Sequence, residues 1–570
     1  MRKILEKLLL LIFVVVFQSC NINEDLFAPK INLDSENGIY TVKYGRELII
    51  APTYEHAEDA TYSWTIDGVI ISFAPSLSFK MDAVGEYYVT LTVRNDIGKD
   101  EEEIRIDVVE LEVPTVSIAG NKKMTVTVGT KVPLNASVRE TSLPTTFVWT
   151  LNDEEVSEDY SYTFLADEIG RYTLKASASN EDGSHSDMVE IEVVNAEDIP
   201  FELEFEKSDY HTVIGRKLLL KPLSSNNAQD VEYSWNIDEM SDINGSDSQF
   251  IFSANKAGEY HVNVTATSTN GDNVISFTRT INVTVYDEKE FYRPKSGASV
   301  AECTKVFEYT PAPGQFINEL KTGGFDASHT TQEAAIAYAE KRFRDSTWVS
   351  LGGFGGYVIV GFDHSIDNTS THDLCVIGNS FDGSSEPGVV WVMQDENGNG
   401  LPDDTWYELA GSETGKVETI QNYAVTYYRP TGTKMPVQWT DNYGNSGEID
   451  YLKQFHTQDY YYPLWVEEDT YTLTGTCLQA RNYDQSGNGT YWVNPHYDWG
   501  YVDNFSPTDF ISSNMANHFN ISNAIDFEGE HVNLSHIDFV KVQCAINAKS
   551  GWLGELSTEV CGFYDSSLKR

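Results

Sequence analysis

Basic residues are scarce in this chain: 39 Lys and Arg stand against 87 Asp and Glu, a formal net charge of −48 over 570 residues. Phosphate binding needs clusters of Lys and Arg, so nucleic acid is excluded as a partner, and such a charge keeps a protein soluble outside the cell. Cysteine is equally sparse. Six are present, no two are spaced C-x-x-C, and neither a zinc ribbon nor a redox dithiol is indicated. Beyond the N-terminus no stretch reaches the roughly eighteen apolar residues of a membrane-spanning helix. Catalytic signatures are missing too. There is no His-Glu-x-x-His and no Gly-x-Ser-x-Gly, and Gly411 to Gly415-Lys416 is a residue short of a phosphate loop and runs into Val417. Carboxylates are so abundant that no pair stands out as a glycosidase dyad. The sequence therefore points to a protein that binds rather than one that reacts.

The N-terminus is a processing signal. Arg2, Lys3 and Lys7 precede an apolar stretch, Leu8 to Phe17, too short to span a bilayer, and Gln18-Ser19-Cys20 follows. A small residue before a Cys resembles the lipobox of bacterial lipoproteins. That resemblance implies cleavage before Cys20 and acylation of Cys20; an ordinary secretory signal is the alternative. The acidic pair Glu24-Asp25 resembles surface-export signals of Bacteroidetes lipoproteins. The expected location is the outer membrane, lipid-anchored and facing the cell exterior. With residues 1–19 as signal peptide and 20–27 as tether, the mature chain keeps Cys303, Cys375, Cys477, Cys544 and Cys561, an odd set that permits at most two disulfides.

Residues 28 to 286 repeat with a period of about 85. Trp64, Trp149 and Trp235 each follow a Tyr or Phe two places earlier, and Gly85, Gly170 and Gly258 open a Gly-x-Tyr segment 21 to 23 residues later. From there the apolar residues alternate, as in Tyr87, Val89, Leu91 and Val93, which marks a strand with one buried face. A tryptophan on one sheet facing a Tyr-bearing strand on the other reads as a small immunoglobulin-like sandwich without its disulfide. The copies resemble PKD-type domains, and the expected boundaries are 28–110, 111–196 and 197–288. Their tryptophans are core residues and the copies a spacer.

Residues 289–570 differ. Thr330-Thr-Gln-Glu333 is a capping box that predicts a helix through Arg344, with Ile336, Ala339 and Phe343 on one face. Strands are predicted at Gly356 to Phe362, Asp373 to Ile377, Val389 to Met393, Val425 to Tyr428 and Phe539 to Ala545. The predicted fold is all-β: three tandem immunoglobulin-like, PKD-type sandwiches, then a larger jelly-roll-like β-sandwich with one helix.

Two features of this last domain carry chemistry. In Asp395-Glu-Asn397-Gly-Asn399-Gly400-Leu401-Pro-Asp403, oxygen donors fall at positions one, three, five, seven (the Leu401 carbonyl) and nine around a turn glycine, the spacing calcium asks for. Trp406 stands where an EF-hand has its bidentate Glu, so this is a loop between strands, with Asp404 or Glu408 as further donors. The expected cofactor is structural calcium; an Asn-Gly turn holding no ion is the bland alternative. The second feature is aromatic density between Trp439 and Tyr501, interleaved with Asn and Gln. Rigid rings beside amides suit a large neutral ligand, a sugar or a corrinoid. From composition, Trp439, Tyr461, Trp465, Trp492 and Trp499 are the candidate ligand-binding residues, although most of the segment's rings should fill core.

Gly352-Gly-Phe-Gly-Gly-Tyr357, Gly378-Asn-Ser-Phe381, Glu386-Pro-Gly-Val-Val-Trp-Val-Met393, Tyr497-Asp-Trp-Gly-Tyr501 and His536-Ile-Asp-Phe-Val-Lys-Val542 together resemble the BtuH-type family of cobalamin-binding surface lipoproteins of Bacteroidetes. The resemblance implies non-catalytic binding of cobalamin or a related corrinoid and its transfer to a TonB-dependent outer-membrane transporter. The alternative is a surface glycan-binding protein of a polysaccharide-uptake system.

Overall fold

The structure is a computed structural model that describes residues 27–139, 141–195, 198, 202–223, 231–270, 273–319 and 328–569. The signal peptide and the lipidation site Cys20 lie outside the described residues. Met1–Val113 with Glu181–Gly183 forms one compact unit, and Pro114–Asn180 with Ser184–Arg570 another.

Each repeat builds a five-stranded sheet with the same strand order. In the first copy, Ile39–Lys43 runs parallel to Lys99–Val109, which is followed by Gly85–Arg94, Thr61–Ile66 and Val69–Ser72, all antiparallel. The second and third copies repeat this arrangement, and in each the five-stranded sheet packs against short strands such as Lys131–Val138 or Leu218–Leu220. The alternation seen in sequence is the burial pattern: Val89, Leu91 and Val93 are inside while their neighbours face outward.

One expectation is corrected here. Trp64 pairs with Leu91, Trp149 with Ala176 and Trp235 with Val264, so tryptophan and the Gly-x-Tyr strand are neighbours within one sheet, not opposite each other across the sandwich. The pairing puts the indole beside the alternating apolar residues on the same inward face, where all three rings are fully buried.

The C-terminal domain is centred on a six-stranded sheet: Lys305–Thr310, Tyr357–Asp367, His536–Cys544, Gly388–Met393, Trp406–Leu409 and Ala524–Ile525, in that spatial order. Its inner face (Val306, Val358, Val360, Val390, Val392, Val540, Val542) packs on the helix and on the four-stranded sheet that carries Leu374, Val376, Phe519 and Phe563. Its other face is covered in part by a second four-stranded sheet built around Ile420–Tyr428, with Val425, Tyr427 and Leu473 in a separate core. Burial on both faces explains why these strands read as continuous apolar runs. The helix spans Gln332–Arg344, and Thr331, not Thr330, is its N-cap, accepting the Ala334 N–H at 3.2 Å. All five described cysteines are free thiols, so neither permitted disulfide forms among them. Among the described residues no helix is long and apolar enough to cross a membrane.

Candidate functional site

The Asp395 loop connects two adjacent strands of the six-stranded sheet, with Trp391 opposite Glu408, Val392 opposite Tyr407 and Met393 opposite Trp406. Gly398 and Gly400 have φ of 72° and 74°, the left-handed region that lets the loop curl back. A side chain at Gly398 would also collide with the Phe291 ring. Asp395 is buried, and one of its carboxylate oxygens accepts the Gly400 N–H at 3.0 Å across the loop. Its other oxygen is buried without a protein partner among the described residues. Asn397 and Asn399 each accept a backbone N–H two residues on, at 2.8 and 2.7 Å, which leaves each amide oxygen a second lone pair.

Around this ring the acids are crowded. Burial raises the Asp395 carboxyl above the usual range, with the charge of Asp538 adding to it, and burial with Asp403 and Asp395 nearby lifts Asp404 to about 7. An orphaned carboxylate oxygen, two Asx-turn oxygens and a crowded set of acids fit a hard cation such as calcium.

The five aromatic candidates do not gather. Tyr461 and Trp465 are buried: the Tyr461 hydroxyl donates to the His456 carbonyl at 2.9 Å, and Trp465 stacks on Tyr309 within the main core. Neither offers a face to a ligand, and these two assignments are corrected on that ground. Trp439, Trp492 and Trp499 are half-buried on separate elements. Trp439 lies over Gly447 and Trp492 over Gly551.

The rings that do share an opening are ones the composition argument passed over. A cleft of about 620 Å³ is lined by Trp391, Trp406, Tyr407, Glu408 and Gln421 of the C-terminal domain and by Tyr210 and His211 of the third repeat. The hairpin register signals part of this: alternation within Val389-Val390-Trp391-Val392 turns Trp391 away from the valine face, together with Glu408 opposite it. Glu408 is buried, accepts a hydrogen bond from the Thr476 hydroxyl, and is raised by burial to about 7.

A third cluster was not singled out from sequence, because acids are so common in this chain. Oxygens of Glu386, Asp503 and Glu559 lie within 4.8 Å of one another. Glu559 N–H and Asn379 N–H donate to Asp503 at 3.0 and 2.9 Å, and the Ser557 hydroxyl donates to Glu559 at 2.8 Å. Burial raises all three, Glu559 to about 7, and the neighbouring acids add to the rise at Glu386 and Asp503.

Comparison with known proteins bears on the repeats. The PKD-like domain family matches residues 28–95 and 200–268. No curated protein matches. Among solved structures, the three N-terminal domains of the bacteriophage RB49 highly immunogenic outer capsid protein are 15% identical, covering 46% of this chain and 99% of theirs at a TM-score of 0.22. An I-band fragment of titin is 16% identical over 46% of this chain and 99% of its own, with a TM-score of 0.21. The fibronectin(III)-like modules of Clostridium thermocellum CbhA are 16% identical, with 31% and 100% covered and a TM-score of 0.18. The chain carries PKD-like, immunoglobulin-like domains.

Proposed function

We propose that the chain is a cell-surface lipoprotein that captures cobalamin or a related corrinoid without chemistry and passes it to a TonB-dependent outer-membrane transporter. The observation that carries the ligand reading is the cleft: Trp391 and Trp406 beside the Gln421 amide and the Glu408 carboxyl. A corrin macrocycle presents an apolar face to such rings and peripheral amides to such polar groups. The acylated Cys20 would anchor the protein, with the repeats carrying the C-terminal domain. Calcium at Asp395, Asn397, Asn399, the Leu401 carbonyl and Asp403 would hold the hairpin that bears both tryptophans.

Capture of a neutral glycan is the second reading. It is favoured by the pairing of indole rings with a carboxyl and an amide at one opening. Calorimetric titration of the purified chain with cyanocobalamin separates the two. Heat of binding at micromolar concentration supports corrinoid capture; its absence, with retention on a polysaccharide affinity gel, replaces it by the glycan reading.

A further inference from the structure

The third repeat is more than a spacer: we propose that it forms one wall of the ligand site, and that this site takes a neutral, ring-bearing polar ligand. The inference rests on the cleft just described being the place where ligand binds.

Two observations place the third repeat in the site. Tyr210, His211, Leu218 and Leu219 line the cleft opposite Trp391 and Trp406. They are held there by contacts that cross between the domains. The Lys207 ammonium reaches the Asp403 carbonyl at the edge of the Asp395 loop. Lys217 pairs with Glu528, and the Arg216 guanidinium lies 5.9 Å from the centre of the Tyr407 ring.

The lining also carries unspent polar capacity on both sides. His211 Nδ1 from the repeat and the Trp391 indole nitrogen from the C-terminal domain are buried with no protein partner among the described residues. A buried polar atom left unpaired is costly, and one on each wall of the same opening gives a ligand that enters between them two partners to supply.

Charge selects the class. Seven acidic residues line the cleft against one ammonium, Lys207, so a ligand of net negative charge such as a polyuronate is repelled. The indole rings and the Gln421 and Asn422 amides of the lining suit a ligand of no net charge with an apolar face and a hydrogen-bonding rim, chemistry that a corrinoid and an uncharged saccharide share.

The test uses the full chain and calorimetry with three probes: cyanocobalamin, a mixture of neutral oligosaccharides and an oligogalacturonate. Each is titrated into the parent protein and into Tyr210→Ala, His211→Ala and Trp406→Ala, with thermal melts establishing that each variant is folded. The proposal expects binding of cyanocobalamin or of the neutral oligosaccharides, and at least tenfold weaker binding in a third-repeat variant as well as in Trp406→Ala. Cyanocobalamin bound with equal affinity by the parent and both third-repeat variants overturns the proposal and leaves corrinoid capture standing. Neutral oligosaccharide bound through Tyr210 or His211, with no response to cyanocobalamin, does the reverse. Oligogalacturonate as the tightest probe, or binding of none, overturns the assigned class.

Discussion

The ammonium of Lys541 lies 4.8 Å from the centre of the Trp391 ring, on the strand directly beside it. Trp406 and Tyr357 complete an aromatic cage at 5.1 and 5.8 Å. Along the same row of the sheet, Glu308 and Glu408 stand on either side, and their charges oppose the burial that pulls Lys541 down to about 8. The lysine is therefore charged at neutral pH and held by rings and two acids together. Replacing it with methionine keeps the stem and removes the charge, leaving both acids uncompensated. Lys541→Met should destabilise the C-terminal domain by about 1–3 kcal/mol in urea titration. A variant as stable as the parent would show that the cage contributes packing alone.

Calcium should stabilise the same hairpin. With one Asp395 oxygen orphaned among the described residues and Asp404 raised by burial and by its acidic neighbours, an ion would supply both the missing partner and the missing positive charge. Millimolar calcium should raise the melting temperature of the parent. Asp395→Ala with Asp403→Ala should lower the melting temperature and abolish the calcium response. If ligand binding disappears in that double variant while its stability stays at the parental value, the loop acts in binding and the structural assignment fails.

Acidity should favour the fold in the window set by the buried acids. Asp404, Glu408 and Glu559 have folded values of about 7 against model-peptide values of 3.8, 4.5 and 4.5, so between these limits the folded state binds more protons than the unfolded one. Stability contributed by these groups is fully present below about 4.5 and is lost as pH rises through about 7. Without calcium, the melting temperature should fall by on the order of 5 °C between pH 5 and pH 8. Glu559→Gln should flatten that slope by removing one proton from the balance, and a slope of opposite sign would refute the buried-acid account.

Periodicity decides how much of this fold is legible in the sequence. The repeats were legible because Trp64, Trp149 and Trp235 recur at nearly constant distance from Gly85, Gly170 and Gly258, and because alternation exposes a half-buried strand directly. Their sheet assignment was not legible, since spacing alone does not say whether two strands pair side by side or face each other; Trp64 opposite Leu91 settles that. The Asp395 loop was legible as donor spacing. The cleft was not, because it joins Tyr210 to Trp406 across nearly two hundred residues and two domains, and aromatic density drew attention to Tyr461 and Trp465, which the fold spends on core. The Glu386, Asp503 and Glu559 cluster is the same case: three acids distant in sequence and lost among 87.

The three repeats should respond unequally to one substitution. The indole N–H of Trp64 donates to the Ala74 carbonyl at 2.8 Å, and that of Trp235 to the Asp247 carbonyl at 2.8 Å. The Trp149 indole N–H is buried with no acceptor among the described residues. Replacing tryptophan by phenylalanine removes ring volume in every copy, but it removes a hydrogen bond only in the first and third. In the second it relieves an unpaired donor. Trp64→Phe and Trp235→Phe should therefore each cost about 0.5–1.5 kcal/mol more than Trp149→Phe. Urea unfolding of each repeat, followed by the fluorescence of its own tryptophan in the parent and by circular dichroism in the variants, measures the difference. Equal losses in all three copies would mean that the two hydrogen bonds are replaced by water at no net cost, and that cavity volume alone sets the penalty.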